Sequence, residues 1–197
     1  ELNQGHHLIG AALTDGQHDV MLFSDGGKAV RFAEDEVRPL GRQARGVRGM
    51  MLEDGQTVIA MLVAEDETQS VLTATQNGYG KRTSIVEYTR HGRGTKGMIA
   101  IQQSERNGRV VAATLVRPAD EIMLITDRGV LVRTRVSEIR ELGRATQGVT
   151  LIALDDGSKL SGLQRIVEND ANVDAQGDDA DGANDQPNPE SPNLDTP

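Results

Sequence analysis

Three stretches of the chain, DVMLFSDGGKAVRF (19–32), SVLTATQNGYGKRT (70–83) and EIMLITDRGVLVRT (121–134), align without a gap at a spacing of 51 residues. Gly27, Gly78 and Gly129 share one column and Arg31, Arg82 and Arg133 another. The alignment continues through Glu36, Glu87 and Glu138, then Gly41, Gly92 and Gly143, and ends at Gly46, Gly97 and Gly148. A fixed period of this length marks an array in which each unit is one supersecondary motif that buries its apolar face against its neighbours.

Each unit reads as β-structure. VMLFS, VLTAT and IMLIT are short apolar runs stopped by Asp-Gly-Gly, Gln-Asn-Gly and Asp-Arg-Gly, which is hairpin chemistry. The return strand alternates, with Val130, Val132, Thr134 and Val136 on one face and Leu131, Arg133 and Arg135 on the other. After a glycine-rich loop, each unit carries an apolar run, a turn (EDGQ, RNGR or DDGS) and a second apolar run. That makes about four strands per ~50 residues, the size of a propeller blade. The expected fold class is all-β, a propeller-like array of about four-stranded blades.

The boundaries follow from the period. Residues 1–18 match only the second half of a unit, Leu8 to Leu13 resembling Val58 to Val63, and are expected to be trailing strands of a preceding blade. Full blades are expected over 19–66, 67–118 and 119–167, with a tail over 168–197. An array that opens on an unfinished blade has unpaired strand edges, so the chain reads as a fragment of a longer protein. With two Phe, two Tyr and no Trp among 197 residues, the core must come from Val, Ile, Leu, Met and Ala. No cysteine is present, which excludes disulfides and Cys-based zinc sites. No apolar run approaches the ~18 residues that span a bilayer, so no membrane partner is expected.

The net charge of -9 misleads as an average. The tail holds nine of the thirty acidic residues and none of the twenty-one basic ones, so residues 1–167 carry twenty-one of each sign. The chain is therefore a balanced folded part followed by an acidic tail. With four prolines and almost no large apolar side chains, that tail is expected to be disordered. Either it only solubilises the chain, or it competes with a polyanion for the basic surface at the ~mM effective concentration of a short tether.

The loops GRQARG (41–46), GRGTKG (92–97) and GRATQG (143–148) place Arg42 and Arg45, Arg93 and Lys96, and Arg144 between glycines at one position of each blade. Glycines let a backbone approach phosphate closely, and the arginine fork binds phosphate in a bidentate manner. Repeated on successive blades, such loops set positive charge at intervals along a rim. That suits a bent polyanion read through backbone and shape, and the scarcity of aromatics argues against single strands. The plainer account of the loop glycines is a backbone requirement for positive φ, and a propeller by itself names no function.

The stretches DVMLFSDGGKAVRF, VLTATQNGYGKRT and ITDRGVLVRTRVSEIRELGRATQGV resemble the C-terminal domain of DNA gyrase A, and the likeness covers almost all of residues 1–167. The resemblance implies a six-bladed, pinwheel-like β-propeller (a β-pinwheel), of which this chain would hold the end of the third blade and blades four to six. It implies a domain that wraps duplex DNA on its basic outer rim, within a bacterial type II topoisomerase that introduces negative supercoils using ATP. The implied partners are duplex DNA, the remainder of gyrase A, and gyrase B, in an A2B2 heterotetramer. ATP and magnesium are implied for the holoenzyme and no cofactor for this stretch; the implied location is the cytoplasm, at the nucleoid. Under this resemblance the strand residues Arg31, Lys81, Arg82 and Arg133 join the loop set as candidate phosphate contacts. The alternative for the strand arginines is a solvated sheet face paired with Glu36, Glu87 or Glu138.

Two departures stand out. The family's Gln-Arg-Arg-Gly-Gly-Lys-Gly type of box is absent; GRGTKG is a degenerate counterpart, GRQARG a looser one, and GRATQG carries Gln147 where a second base would stand. The cleavage domain with its nucleophilic tyrosine is absent too, and Tyr79 and Tyr88 read as strand-packing residues. No catalytic residue is expected: His6-His7 lacks clustered carboxylates, Glu53/Asp54 and Asp155/Asp156 sit in hairpin turns, and there is no P-loop, nucleophile elbow or zinc signature. The rival readings are the C-terminal domain of the topoisomerase IV counterpart of gyrase A, and a non-enzymatic propeller scaffold of the chromosome-condensation-regulator type.

Overall fold

The hairpin strands fall where the repeat predicts them, but the first repeat has three strands rather than four. The computed structural model describes residues 5–167, so the tail expected to be disordered lies outside the described residues. The first repeat forms β1 (Asp19–Ser24), β2 (Lys28–Ala33) and β3 (Val58–Ala64). The second forms β4 (Ser70–Thr75), β5 (Tyr79–Ser84), β6 (Met98–Ile99) and β7 (Val110–Val116), and the third β8 (Glu121–Thr126), β9 (Leu131–Arg135), β10 (Val149–Thr150) and β11 (Leu160–Ile166). A 3-10 turn follows each second strand, at Glu34–Glu36, Ile85–Glu87 and Val136–Glu138. No α-helix occurs among the described residues, and the fold is all-β.

The hairpins close on the glycine column. Gly27, Gly78 and Gly129 take φ of 74°, 79° and 80°, the left-handed region that a side chain with a Cβ resists. The tight turn sets the register, Met21 opposite Arg31, Leu72 opposite Arg82 and Met123 opposite Arg133.

Strand pairing departs from the repeat in one respect. The sheets run β3-β1-β2-β6, β10-β5-β4-β7 and β11-β8-β9, so the outermost strand of a sheet comes from the following repeat. Met98 pairs with Ala29 and Ile99 with Lys28; 51 residues on, Val149 pairs with Gly80 and Thr150 with Tyr79. These donated strands are two residues long, too short for alternation to reveal them in a sequence.

Side chains alternate between the two flanking sheets. Met21, Phe23 and Ala29 of the first sheet bury against Val71, Ile85 and Tyr88 of the second repeat. Leu72 and Ala74 bury against Ile122, Leu124, Val136 and Ile139 of the third. Tyr88 lies just after a 3-10 turn, not on a strand as expected, and meets Phe23 edge-on with ring centroids 6.0 Å apart. Such a pair adds about 0.5–1.5 kcal/mol beyond its area. Strand β7 contacts both β3 and β11 at one edge of the sheets, and the donated strands lie at the other.

Residues 5–18 form no strand, although Leu8 to Leu13 resemble Val58 to Val63. β3 is held by β1, which pairs with it over its length, and Leu8 to Leu13 have no such pairing among the described residues. Leu8 and Leu13 are exposed.

Candidate nucleic-acid interface

The three glycine-rich loops form a continuous row at the donated-strand edge. The Gly94 N–H donates to Gly49 O at 2.6 Å and the Met51 N–H to Thr95 O at 2.8 Å, and Met50 bridges to Thr95. The second loop region meets the third through the Gln102 N–H, which donates to Thr146 O at 2.9 Å. The last glycine of a loop is a steric requirement: Gly97 and Gly148 have φ of 72° and 82°, and a Cβ there would lie 2.4 Å from Ala29 O and 2.6 Å from Gly80 O. The backbone account of these glycines therefore holds.

Arg93 and Arg144 are engaged by the protein itself. The Arg93 backbone N–H donates to the Glu36 carboxylate at 3.1 Å, its Nε to Glu36 O at 3.0 Å, and a terminal nitrogen to Arg48 O at 3.2 Å. Arg144 repeats this on Glu87 (N–H 2.8 Å, Nε 3.2 Å) and on Ile99 O at 2.8 Å. Each arginine fastens its loop to the 3-10 turn and the loop of the repeat before. Glu36 and Glu87 thus serve the loop arginines rather than the strand arginines, and Glu138 lies 4.0 Å from Arg135.

The strand set needs correction. Arg31 is buried at 7% exposure, with Nε on Asp19 at 2.7 Å and a terminal nitrogen on Ile85 O and Tyr88 O at 3.1 and 3.2 Å. Arg82 places Nε on Ile139 O at 2.7 Å. Lys81 is fully buried and donates to Gly143 O and Arg144 O at 2.5 Å each, and its burial pulls the ammonium down to about 8. These three cannot reach a phosphate without dismantling the contact between neighbouring repeats; they are joints. Arg133 differs: it pairs with Glu121 and is half-exposed.

Arg42, Arg45 and Lys96 are exposed on the row. The structure adds residues that the repeat columns hid. Arg38, Arg48 and Arg140 are exposed beside the loops, as is Arg90, which pairs with Asp19 at 2.7 Å. No acidic residue falls between 37 and 52 or between 88 and 104. Arg38, Arg48 and Arg90 stand in these two acid-free basic runs, but they do not recur in every repeat and so form no column. Tyr79, on β5, lies under the Arg106 guanidinium 4.5 Å from the ring centre, and nothing about it suggests a nucleophile.

The family model described as the DNA gyrase C-terminal domain, β-propeller, matches residues 18–65, 69–117 and 120–166, the three repeats in turn. The chain belongs to this family. Its repeats are similar to the A subunit of DNA gyrase from Pseudomonas aeruginosa (54% identity over 168 residues, 85% of this chain and 18% of that protein). The corresponding figures for the A subunit of DNA gyrase from Escherichia coli K12 are 52%, 85% and 19%. The chain thus spans about a fifth of the length of the curated relatives it matches. Among solved structures it resembles a DNA gyrase A C-terminal domain (TM-score 0.71, 28% identity, 77% of this chain and 51% of that one). It also resembles the C-terminal domain of a DNA topoisomerase IV (TM-score 0.75, 25% identity, 79% and 48%). Membership of the gyrase C-terminal family gives the basic row its context, since the scaffold reading rested on a propeller of another family.

Proposed function

We propose that this chain is part of the DNA-binding and DNA-wrapping domain of a DNA gyrase A, and that duplex DNA follows the row of glycine-rich loops. The observation that carries the reading is the row itself. The second and third loops each hydrogen-bond to the segment that follows the loop before, and the row presents Arg38, Arg42, Arg45, Arg48, Lys96 and Arg140, with no carboxylate in the first two segments. Exposed cations at intervals along a rim contact phosphates and favour bent DNA without reading bases. The half-exposed Arg133 and the remaining hydrogen-bonding capacity of Arg93 and Arg144 are secondary contacts on this reading.

The holoenzyme would be an ATP-dependent type II topoisomerase that introduces negative supercoils, with the remainder of gyrase A, and gyrase B, as partners in an A2B2 assembly in the bacterial cytoplasm. ATP and magnesium are assigned to the holoenzyme by the family resemblance. No helix among the described residues is long and apolar enough to cross a membrane. The topoisomerase IV counterpart of gyrase A is the second reading, favoured by the likeness of fold; the identities of 54% and 52% to gyrase A favour the first.

The test is duplex affinity across a salt series, for the chain and for a variant with Arg38, Arg42, Arg45, Arg48, Lys96 and Arg140 changed to Ala. For duplex DNA the log–log slope is about -0.9 per phosphate neutralised, so losing several contacts flattens it by several units. An unchanged slope in a folded variant would remove the DNA from this row.

A further inference from the structure

The second and third loops carry the same anchor but not the same charge. Arg93 holds Glu36 as Arg144 holds Glu87, and each loop lies on a repeat that is present, the second against Ala29 and the third against Gly80. Three residues past the anchor, Arg45, Lys96 and Gln147 form one column that is exposed in all three loops. The third loop therefore lacks the second outward cation.

The strand under each loop has changed in the opposite sense. Under the second loop, β2 presents Val30 and Phe32, both buried, and a Cβ at Gly97 would lie 3.0 Å from the Val30 side chain. Under the third, the same columns of β5 hold Lys81 and Thr83, both fully buried. The Lys81 ammonium donates to Gly143 O and Arg144 O at 2.5 Å each, and the Thr83 hydroxyl to Leu142 O at 2.9 Å. Three consecutive carbonyls of the loop are held from beneath, two of them by a full positive charge. The charged groups facing that ammonium are Glu87 of the 3-10 turn and Arg144 of the loop; β4 and β10 carry none. Glu141, earlier in the loop segment, faces Arg82 at 3.8 Å. Two cations against one carboxylate leave the underside of the third loop positive.

We propose that Lys81 supplies from beneath the cation that the third loop lacks at Gln147, and is a positioning residue for DNA on that loop. The proposal rests on the reading that duplex DNA follows the row. Lys81 does not touch the DNA. It fixes the loop backbone and acts on phosphate through it, in surroundings where a charge is less screened than at an exposed site. A buried cation differs from an exposed one in a second way: burial brings the Lys81 ammonium down from 10.5 to about 8. Phosphate over the loop favours the charged form, so the contact is complete below about pH 8 and is lost as pH rises through that value. Folding stability moves the other way over this range, because the unfolded chain holds the proton more tightly. Unfolding therefore cannot imitate the loss of affinity. The Tyr88 phenol, which also faces Glu87 and Arg144, is held up by desolvation and stays neutral.

The test is duplex affinity at fixed low salt from pH 7 to pH 9 for the chain, Lys81→Met, Gln147→Lys and the double variant, each checked for fold by circular dichroism. The affinity of the unsubstituted chain falls at least about threefold across the range. Lys81→Met is weaker by a similar factor at pH 7 and has a flat profile. Gln147→Lys added to it restores the affinity without restoring the pH dependence, which a residue that only joined repeats would not allow. Proton uptake on binding at pH 8.5, read calorimetrically in two buffers, follows the same group in the unsubstituted chain and needs no variant to fold. Binding that depends on the row's six cations, with no proton uptake or with the same pH profile in folded Lys81→Met, would overturn this proposal alone. Binding indifferent to those six cations would overturn the reading beneath it as well.

Discussion

Replacing Arg31 by Ala is expected to destabilise the array while leaving the salt dependence of DNA binding unchanged. The guanidinium binds Asp19 at 2.7 Å and the carbonyls of Ile85 and Tyr88 at 3.1 and 3.2 Å, and it touches the exposed Glu67 at 3.4 Å. Truncation leaves two carbonyls of the second repeat without this donor, and leaves Asp19, 3% exposed, with Arg90 at 2.7 Å as its remaining cation. Breaking a buried pair costs about 3–5 kcal/mol, and the cation that stays with Asp19 places Arg31→Ala near the lower end, about 3 kcal/mol. The Glu67 contact adds at most a few tenths of a kcal/mol. Arg133→Ala removes a residue from the same repeat column, but at a half-exposed ion pair worth below about 1 kcal/mol. Urea unfolding of both variants compares the two midpoints at constant slope. A loss for Arg31→Ala no larger than for Arg133→Ala would mean that Arg31 is not a joint between repeats. So would a flatter salt slope in a folded Arg31→Ala chain, which would return Arg31 to the DNA.

Gly97→Ala should cost more stability than Gly46→Ala. Both incur the left-handed penalty of about 1–2 kcal/mol, but only at Gly97 does the new Cβ fall 2.4 Å from a strand carbonyl; equal denaturation midpoints would contradict this. Stability should rise as pH goes from 8 towards 10.5, because Lys81 sits at about 8 in the fold and at 10.5 in the open chain, so the unfolded state binds the extra proton there. Above about 10 the buried Tyr88 phenol, held up by desolvation, reverses the trend as the unfolded chain ionises. Urea midpoints against pH should therefore climb and then fall, and Lys81→Met should remove the climb. Ending the chain at Val167 removes nine acidic residues and no basic one, and should raise duplex affinity most at low salt; equal affinity at low salt would leave the tail no competitive role.

The period, the hairpins and the repeated basic loops are legible in the sequence. Those depend on near neighbours: a glycine two or three residues past an apolar run, an alternation along one strand, a basic residue between glycines. The tertiary structure decided which sheet each short strand joins and which arginines meet solvent. Met98–Ile99 and Val149–Thr150 are too short to show a period, and their partners lie about 70 residues earlier in the chain. Arg31, Arg82 and Arg133 occupy one column with one local pattern, yet the first two end on carbonyls 54 to 57 residues ahead and the third pairs within its own hairpin. Local pattern places a side chain on a face of its strand. Whether that face is covered by another repeat is a tertiary fact: among the described residues the same column is a joint twice and half-exposed once.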